Sequence, residues 1–105
     1  MAMTPINEEK ALDLNEADRI AELFGALSDP SRVKIVAALL AGDLSVRALA
    51  EQVELSESAV SHQLRTLRQL RLVRATKVGR EVFYALDDDH VSELLQRGLD
   101  HVRHG

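Results

Sequence analysis

The sequence contains no cysteine, which excludes disulfides, thiolate metal sites and cysteine nucleophiles together. Aromatic side chains are scarce too: tryptophan is missing, and Phe24, Phe83 and Tyr84 are the whole aromatic set. A core for 105 residues must therefore come from Leu, Val, Ala and Ile, which favours packed helices over an all-β sandwich. No run approaches the roughly 20 apolar residues of a membrane span, and the chain start lacks a signal-peptide pattern. We expect a cytoplasmic protein without membrane contact.

The chain as a whole has fewer basic than acidic residues, and its net charge is −4. Residues 58–84 are the exception, with six Lys or Arg against one acidic residue, and the segments on both sides of them are acidic. Phosphate attraction is local and is screened within about 10 Å at ordinary salt. The basic segment can therefore bind DNA while the rest of the chain stays acidic.

The spacing of apolar residues predicts a mainly α fold with one β-hairpin. We expect residues 1–14 to form a disordered segment and residues 15–105 to form one DNA-binding and dimerisation domain. Ser45 and Ser56 are expected to cap two short helices, and Gly79 to provide the hairpin turn. The expected elements are helices at 16–27, from 30 to a stop at 42, at 46–52 and at 57–70, strands at 72–77 and 81–86, and a last helix after the acidic run 87–89.

The helices at 46–52 and 57–70 are joined by Glu54-Leu55, and this tight link predicts a helix-turn-helix unit. The second helix carries short polar donors and long cations outside its apolar stripe, the residue types that reach base edges and phosphates in a major groove. An ordinary solvated face is the alternative, but the segment with a net positive charge is the one that forms this helix and the hairpin, which favours DNA binding. The candidate DNA-contacting residues are Ser56, Glu57, Ser58, Ser61, His62, Gln63, Arg65, Lys77 and Arg80.

The string from Leu55 to Leu64, LSESAVSHQL, and the hairpin segment from Gly79 to Tyr84, GREVFY, resemble the ArsR/SmtB family of metal-responsive repressors. The resemblance covers residues 16–104. It implies a winged helix-turn-helix homodimer, with a two-stranded wing and a C-terminal dimerisation helix. It also implies binding to an imperfect inverted repeat in double-stranded operator DNA, which blocks transcription until an inducer releases the protein.

The last helix carries Asp88, His90, His101 and His104, and three of the four histidines of the chain are among them. Residues three apart share a helix face, so His101 and His104 can bind one ion. Asp88 and His90 can also approach one another, at the start of the helix. His101 lies eleven positions after His90, which corresponds to about 16 Å of helix, too far for one ion to bridge within a chain. Two such helices packed antiparallel about a two-fold axis would complete two identical sites.

The same four positions match the last-helix site of the zinc and cobalt sensors that the chain resembles. Three imidazoles and one carboxylate suit Zn²⁺ first and Co²⁺ next, while Ni²⁺ is less favoured because no N-terminal histidine offers further ligands. The stretch 44–50 lacks the cysteines of the arsenic-type sensors, so thiolate sensing is not expected.

Three alternatives remain at this point. The acidic run could simply cap a helix and the histidines could be solvated, which would leave a metal-independent winged-helix regulator. A nickel or cobalt sensor of the same family is the second. A metallohydrolase is the third, but four protein ligands leave no open position on the metal, so we expect no enzyme.

Overall fold

The computed structural model describes residues 11–105, and within them it has five α-helices, one 3-10 turn and three strands. The mainly α winged helix-turn-helix fold is confirmed. The elements are α1 (Leu14–Ala26), α2 (Pro30–Ala38), a 3-10 turn (Leu39–Ala41), β1 (Leu44–Ser45), α3 (Val46–Val53), α4 (Glu57–Gln69), β2 (Val73–Val78), β3 (Glu81–Leu86) and α5 (Asp89–His104).

The first helix begins two residues earlier than its apolar pattern predicted. Asp13 accepts a hydrogen bond from the backbone N–H of Glu16 at 2.7 Å, and the Glu16 carboxylate accepts one from the N–H of Asp13 at 3.2 Å. This reciprocal capping box satisfies two N–H groups that a helix start leaves without partners. Leu14 therefore belongs to α1, whereas residues 1–10 of the predicted disordered segment lie outside the described residues.

The predicted helix starts at the centre of the chain are confirmed. The Ser45 hydroxyl accepts from Ala48 N–H at 3.2 Å, and the Ser56 hydroxyl accepts from Ala59 N–H at 3.0 Å. Pro30 occupies the first turn of α2, where its missing N–H has no role.

The wing belongs to a three-stranded antiparallel sheet of order β1-β3-β2, so the two-stranded prediction was too small. The additional strand pairs Leu44 with Tyr84 and Ser45 with Phe83. Two residues have no periodicity to reveal a strand, and this strand exists only because β3 offers a free edge. Gly79 has a φ of +63°, which suits the predicted turn between β2 and β3.

The core lies between α2, α3, α4 and the base of the sheet. In contrast, each outer helix has one buried apolar residue, Ala26 in α1 and Val91 in α5. None of the described helices is long and apolar enough to cross a membrane. The fully or almost fully buried residues of the centre are Ile35, Val36, Leu39, Leu49, Ala50, Val53, Val60, Leu64, Leu67, Leu72 and Val73.

Candidate metal centre and nucleic-acid interface

The turn between α3 and α4 sets the direction of the second helix. Glu54 ends α3 with a left-handed φ of 59°, and the N–H of Leu55 donates to the carbonyl of Ala50 at 3.1 Å. A left-handed residue closes a helix by turning the chain sharply, a position that glycine fills most often. The helix-turn-helix therefore has a link of three residues before α4 begins.

Most of the predicted DNA-contacting side chains are exposed in the structure. The buried side of α4 is turned inward, so its polar residues project outward next to the wing. Their contact with DNA stays a prediction. The exposed members are Ser56, Glu57, Ser58, Ser61, His62 and Arg65 around α4, and Lys77 and Arg80 at the tip of the wing.

Gln63 differs from the other predicted DNA contacts because it is half-buried and already bonded. Its Oε1 accepts a hydrogen bond from Arg32 Nε at 2.8 Å. Arg32 also donates to the carbonyl of Ala26 at 3.4 Å and lies 3.9 Å from the Asp29 carboxylate. The Gln63 carbonyl oxygen thus ties α4 to the junction of α1 and α2, and its amide NH₂ is the group left for a base or phosphate.

A depression of about 360 Å³ separates α4 from the wing. Arg65 and Arg68 line it from the helix, and Tyr84 lines it from β3. Arg68 and Tyr84 were not among the predicted contacts. The signal for Arg68 was its spacing of three from Arg65, which puts both on one helix face. Tyr84 could not be assigned without the packing of β3 against α4.

At the start of α5 the two carboxylate oxygens of Asp88 face different neighbours. Oδ1 accepts from the backbone N–H of Val91 at 3.1 Å and so caps the helix. Oδ2 faces His90, 3.7 Å from Nδ1, and the His90 side chain is 92% exposed. Capping and metal ligation, which the sequence left as alternatives, are therefore compatible in this residue.

His101 and His104 lie in the last turn of α5, on an exposed part of the helix. Because α5 is continuous from Asp89 to His104, the separation of about 16 Å between the two halves of the predicted site holds in the structure. Accordingly, residues 11–105 contain no group of three or more His, Asp or Glu that could hold a metal ion within one chain. The donor set fits zinc only if a second chain brings the other half.

Asp88 and His90 line a cleft that is partly apolar and partly polar. The cleft has a volume of about 630 Å³ and separates α1 from the beginning of α5. Ile20 and Leu23 of α1 face Val91 and Leu94 of α5 across it.

Known proteins match this chain in sequence and in fold. The family model described as "Bacterial regulatory protein, arsR family" matches residues 29–75. The transcriptional repressor SmtB homolog of Synechocystis is 46% identical over 96 residues, which cover 91% of this chain and 73% of that protein. The chain belongs to the ArsR family.

Two further ArsR-family comparisons extend this result. The cadmium resistance transcriptional regulatory protein CadC homolog of Staphylococcus aureus is 42% identical over 85 residues, covering 80% of this chain and 70% of that protein. The solution structure of apo-NmtR, from Mycobacterium tuberculosis, matches with a TM-score of 0.77 at 44% identity, covering 90% of this chain and 79% of that one. These relatives are transcriptional regulators and not enzymes, which confirms the family and the class of protein expected from the sequence.

Proposed function

We infer that this ArsR-family protein represses transcription as a homodimer and leaves its operator when zinc, or cobalt, binds between the C-terminal helices of two protomers. The observation that carries this proposal is the placement of two half-sites at opposite ends of one continuous helix. Each half has two donors, too few to hold zinc alone. Two antiparallel copies of α5 would bring three imidazoles and one carboxylate together at each end.

The dimer is supported by apolar surface that one chain leaves uncovered. Leu14 and Phe24 on α1 are 86% and 55% exposed, and Val102 on α5 is 78% exposed. All three lie on the two outer helices. A second copy that covers α1 and α5 would remove this surface from water, and burial of apolar area is the main driving force of association.

The donor chemistry favours zinc or cobalt over cadmium, which the name of one relative mentions. Soft ions prefer thiolate, and this chain has no cysteine. A bound Zn²⁺ would cross-link two helices. Asp88 and His90 would hold it from one protomer, and His101 and His104 from the partner. This arrangement would fix the spacing of the two copies of α4, which must match successive major grooves to bind an operator.

Fluorescence anisotropy tests the proposal with a DNA duplex enriched from a random pool by the metal-free protein. Adding zinc should lower the affinity for this duplex about 5- to 150-fold, the usual range of allosteric coupling. His101→Ala should bind the duplex normally and lose the response to zinc. Arg103→Ala, in the same exposed turn, is the matched control and should keep the response. An affinity that zinc leaves unchanged in the unaltered protein would refute the sensor function.

A further inference from the structure

The chain between β3 and α5 is held by a side chain from the neighbouring strand. Arg74 of β2 donates from Nη1 to the carbonyl of Leu86 at 2.6 Å and to the carbonyl of Asp87 at 2.8 Å. Arg74 is exposed while its neighbour Val73 is buried, so its side chain lies on the sheet face opposite the core. Hydrogen bonds from a charged guanidinium to carbonyls are stronger than those between neutral groups.

Backbone hydrogen bonds join the same junction to the end of the helix that we expect to read DNA. The N–H of Asp87 donates to the carbonyl of Leu72 at 3.0 Å, and the N–H of Leu72 donates to the carbonyl of Leu67 at 2.9 Å. Leu67 is a buried residue of α4, and Leu72 is buried as well. Two backbone hydrogen bonds in series, through Leu72, therefore connect Asp87 to α4. Asp87 directly precedes Asp88.

The two half-sites differ in this respect. Asp88 is anchored on one side by its cap on α5 and on the other by Asp87, whose N–H and C=O are both bonded to the β2 side of the sheet. At His101, in contrast, the hydrogen bond that adds to the regular helix pattern is local, from Gly105 N–H to the His101 carbonyl at 2.7 Å. The hydrogen bonds that connect α5 with the sheet side of this chain therefore lie at its start.

We propose that Arg74 is a positioning residue that couples the Asp88–His90 half-site to α4. This inference rests on the proposed function and assigns a route within it. By fixing two consecutive carbonyls to β2, Arg74 stiffens the segment that precedes Asp88. Movement of Asp88 toward a shared ion then displaces Leu72 and the end of α4 instead of being absorbed by a loose junction. Within residues 11–105, the side-chain hydrogen bonds of Arg74 go to these two carbonyls and not to the side chains of the half-site.

The first test needs no metal and no DNA. Arg74→Met keeps an unbranched stem and removes the donors, and Arg74→Lys keeps the charge while losing the planar fork. Amide hydrogen exchange of the metal-free protein, followed by NMR, should show the Asp87 N–H exchanging at least about threefold faster in Arg74→Met, with the core amide of Leu64 unchanged. We call the two hydrogen bonds from Arg74 to the carbonyls of Leu86 and Asp87 the clamp. An unchanged exchange rate of the Asp87 N–H would show that the clamp does not hold this segment.

The second test measures coupling in the same variants by zinc titration and anisotropy with the enriched duplex. Arg74→Met should bind zinc within about threefold of the unaltered protein, yet the ratio of DNA affinities without and with zinc should fall to less than half its normal value. Arg74→Lys should give a ratio of DNA affinities between those of Arg74→Met and the unaltered protein. This variant takes the place of Arg74→Met in the test if Arg74→Met folds poorly. Arg80→Met, at the wing tip, is the control: it should weaken DNA binding equally with and without zinc.

The outcomes separate the two proposals. A normal ratio in Arg74→Met overturns the role of Arg74 and leaves the sensor function intact. A ratio of one in the unaltered protein refutes the sensor function and the coupling with it, while the Asp87 exchange rate still reports whether the clamp exists.

Discussion

Helices α4 and α5 carry similar amphipathic patterns, but their apolar stripes are buried to different extents within the chain. The stripe of α4, formed by Val60, Leu64 and Leu67, is buried by the same chain. The stripe of α5 begins buried at Val91 and ends with Val102 78% exposed. A hydrophobic stripe with no cover in its own chain indicates a surface that another chain covers. We therefore infer that the apolar stripe of α4 is covered within one protomer, whereas the stripe of α5 forms half of an interface with a second protomer.

The largest expected effect is the loss of folding stability when the covered stripe of α4 is truncated. Leu64→Ala should lower the free energy of unfolding by about 2–5 kcal/mol because it leaves a cavity in a closed core. Val102→Ala should lower it by less than about 0.5 kcal/mol in a sample diluted until it is monomeric. Urea unfolding followed by circular dichroism measures both. Equal losses at the two positions would contradict the difference between the helices.

A charge on the stripe of α5 should act on association instead. Val102→Glu places a carboxylate where a partner would bury it, and we expect the dimer dissociation constant to rise at least about tenfold. Val78→Glu is the matched control, because Val78 is also an exposed valine, 61% accessible, but lies on the wing. Analytical ultracentrifugation distinguishes them. Equal behaviour of the two variants would show that α5 is not the interface.

Mixing two defective proteins tests whether the copies of α5 complete each other. Asp88→Asn/His90→Ala removes one half-site while asparagine keeps the helix cap, and His101→Ala/His104→Ala removes the other. Each alone should lose high-affinity zinc binding. After random reassociation, half of the dimers are mixed and hold one intact site each, so about one quarter of the normal capacity should return. Calorimetric titration measures the capacity, and no recovery would indicate a site within one chain.

The smallest effect concerns the outward face of α4. Arg65→Ala should reduce the slope of log affinity against log salt by about 0.9, the contribution of one phosphate contact. Arg97→Ala, an exposed cation on α5, should leave the slope unchanged. Anisotropy titrations between 50 and 200 mM salt, concentrations at which phosphate contacts weigh strongly, give both slopes. An unchanged slope for Arg65→Ala would remove this residue from the interface.

The features that the sequence predicted well depend on local signals. The caps at Ser45 and Ser56, the turn at Gly79 and the buried stripe of α4 each follow from residues within one or two turns of one another. The start of α1 was misjudged although its signal was also local: Asp13 and Glu16 form a capping box that the apolar pattern concealed.

The features that escaped prediction depend on residues far apart in the chain. Strand β1 exists because β3 lies beside it, and the bond between Arg32 and Gln63 joins residues 31 positions apart. Arg74 reaches Leu86 across 12 positions. In each case the residue type permits several partners, and the packing of the helices and the sheet selects one.

The unbroken course of α5 has a consequence for how this protein can change over time. A separation of eleven residues is slightly more than three turns of 3.6 residues, so the two half-sites lie on nearly the same side of the helix and can face the same partner. Substitutions between them leave this alignment intact. A single inserted residue would rotate one half-site by about 100° away from the other. The spacing of α5 therefore tolerates new side chains but not small changes of length.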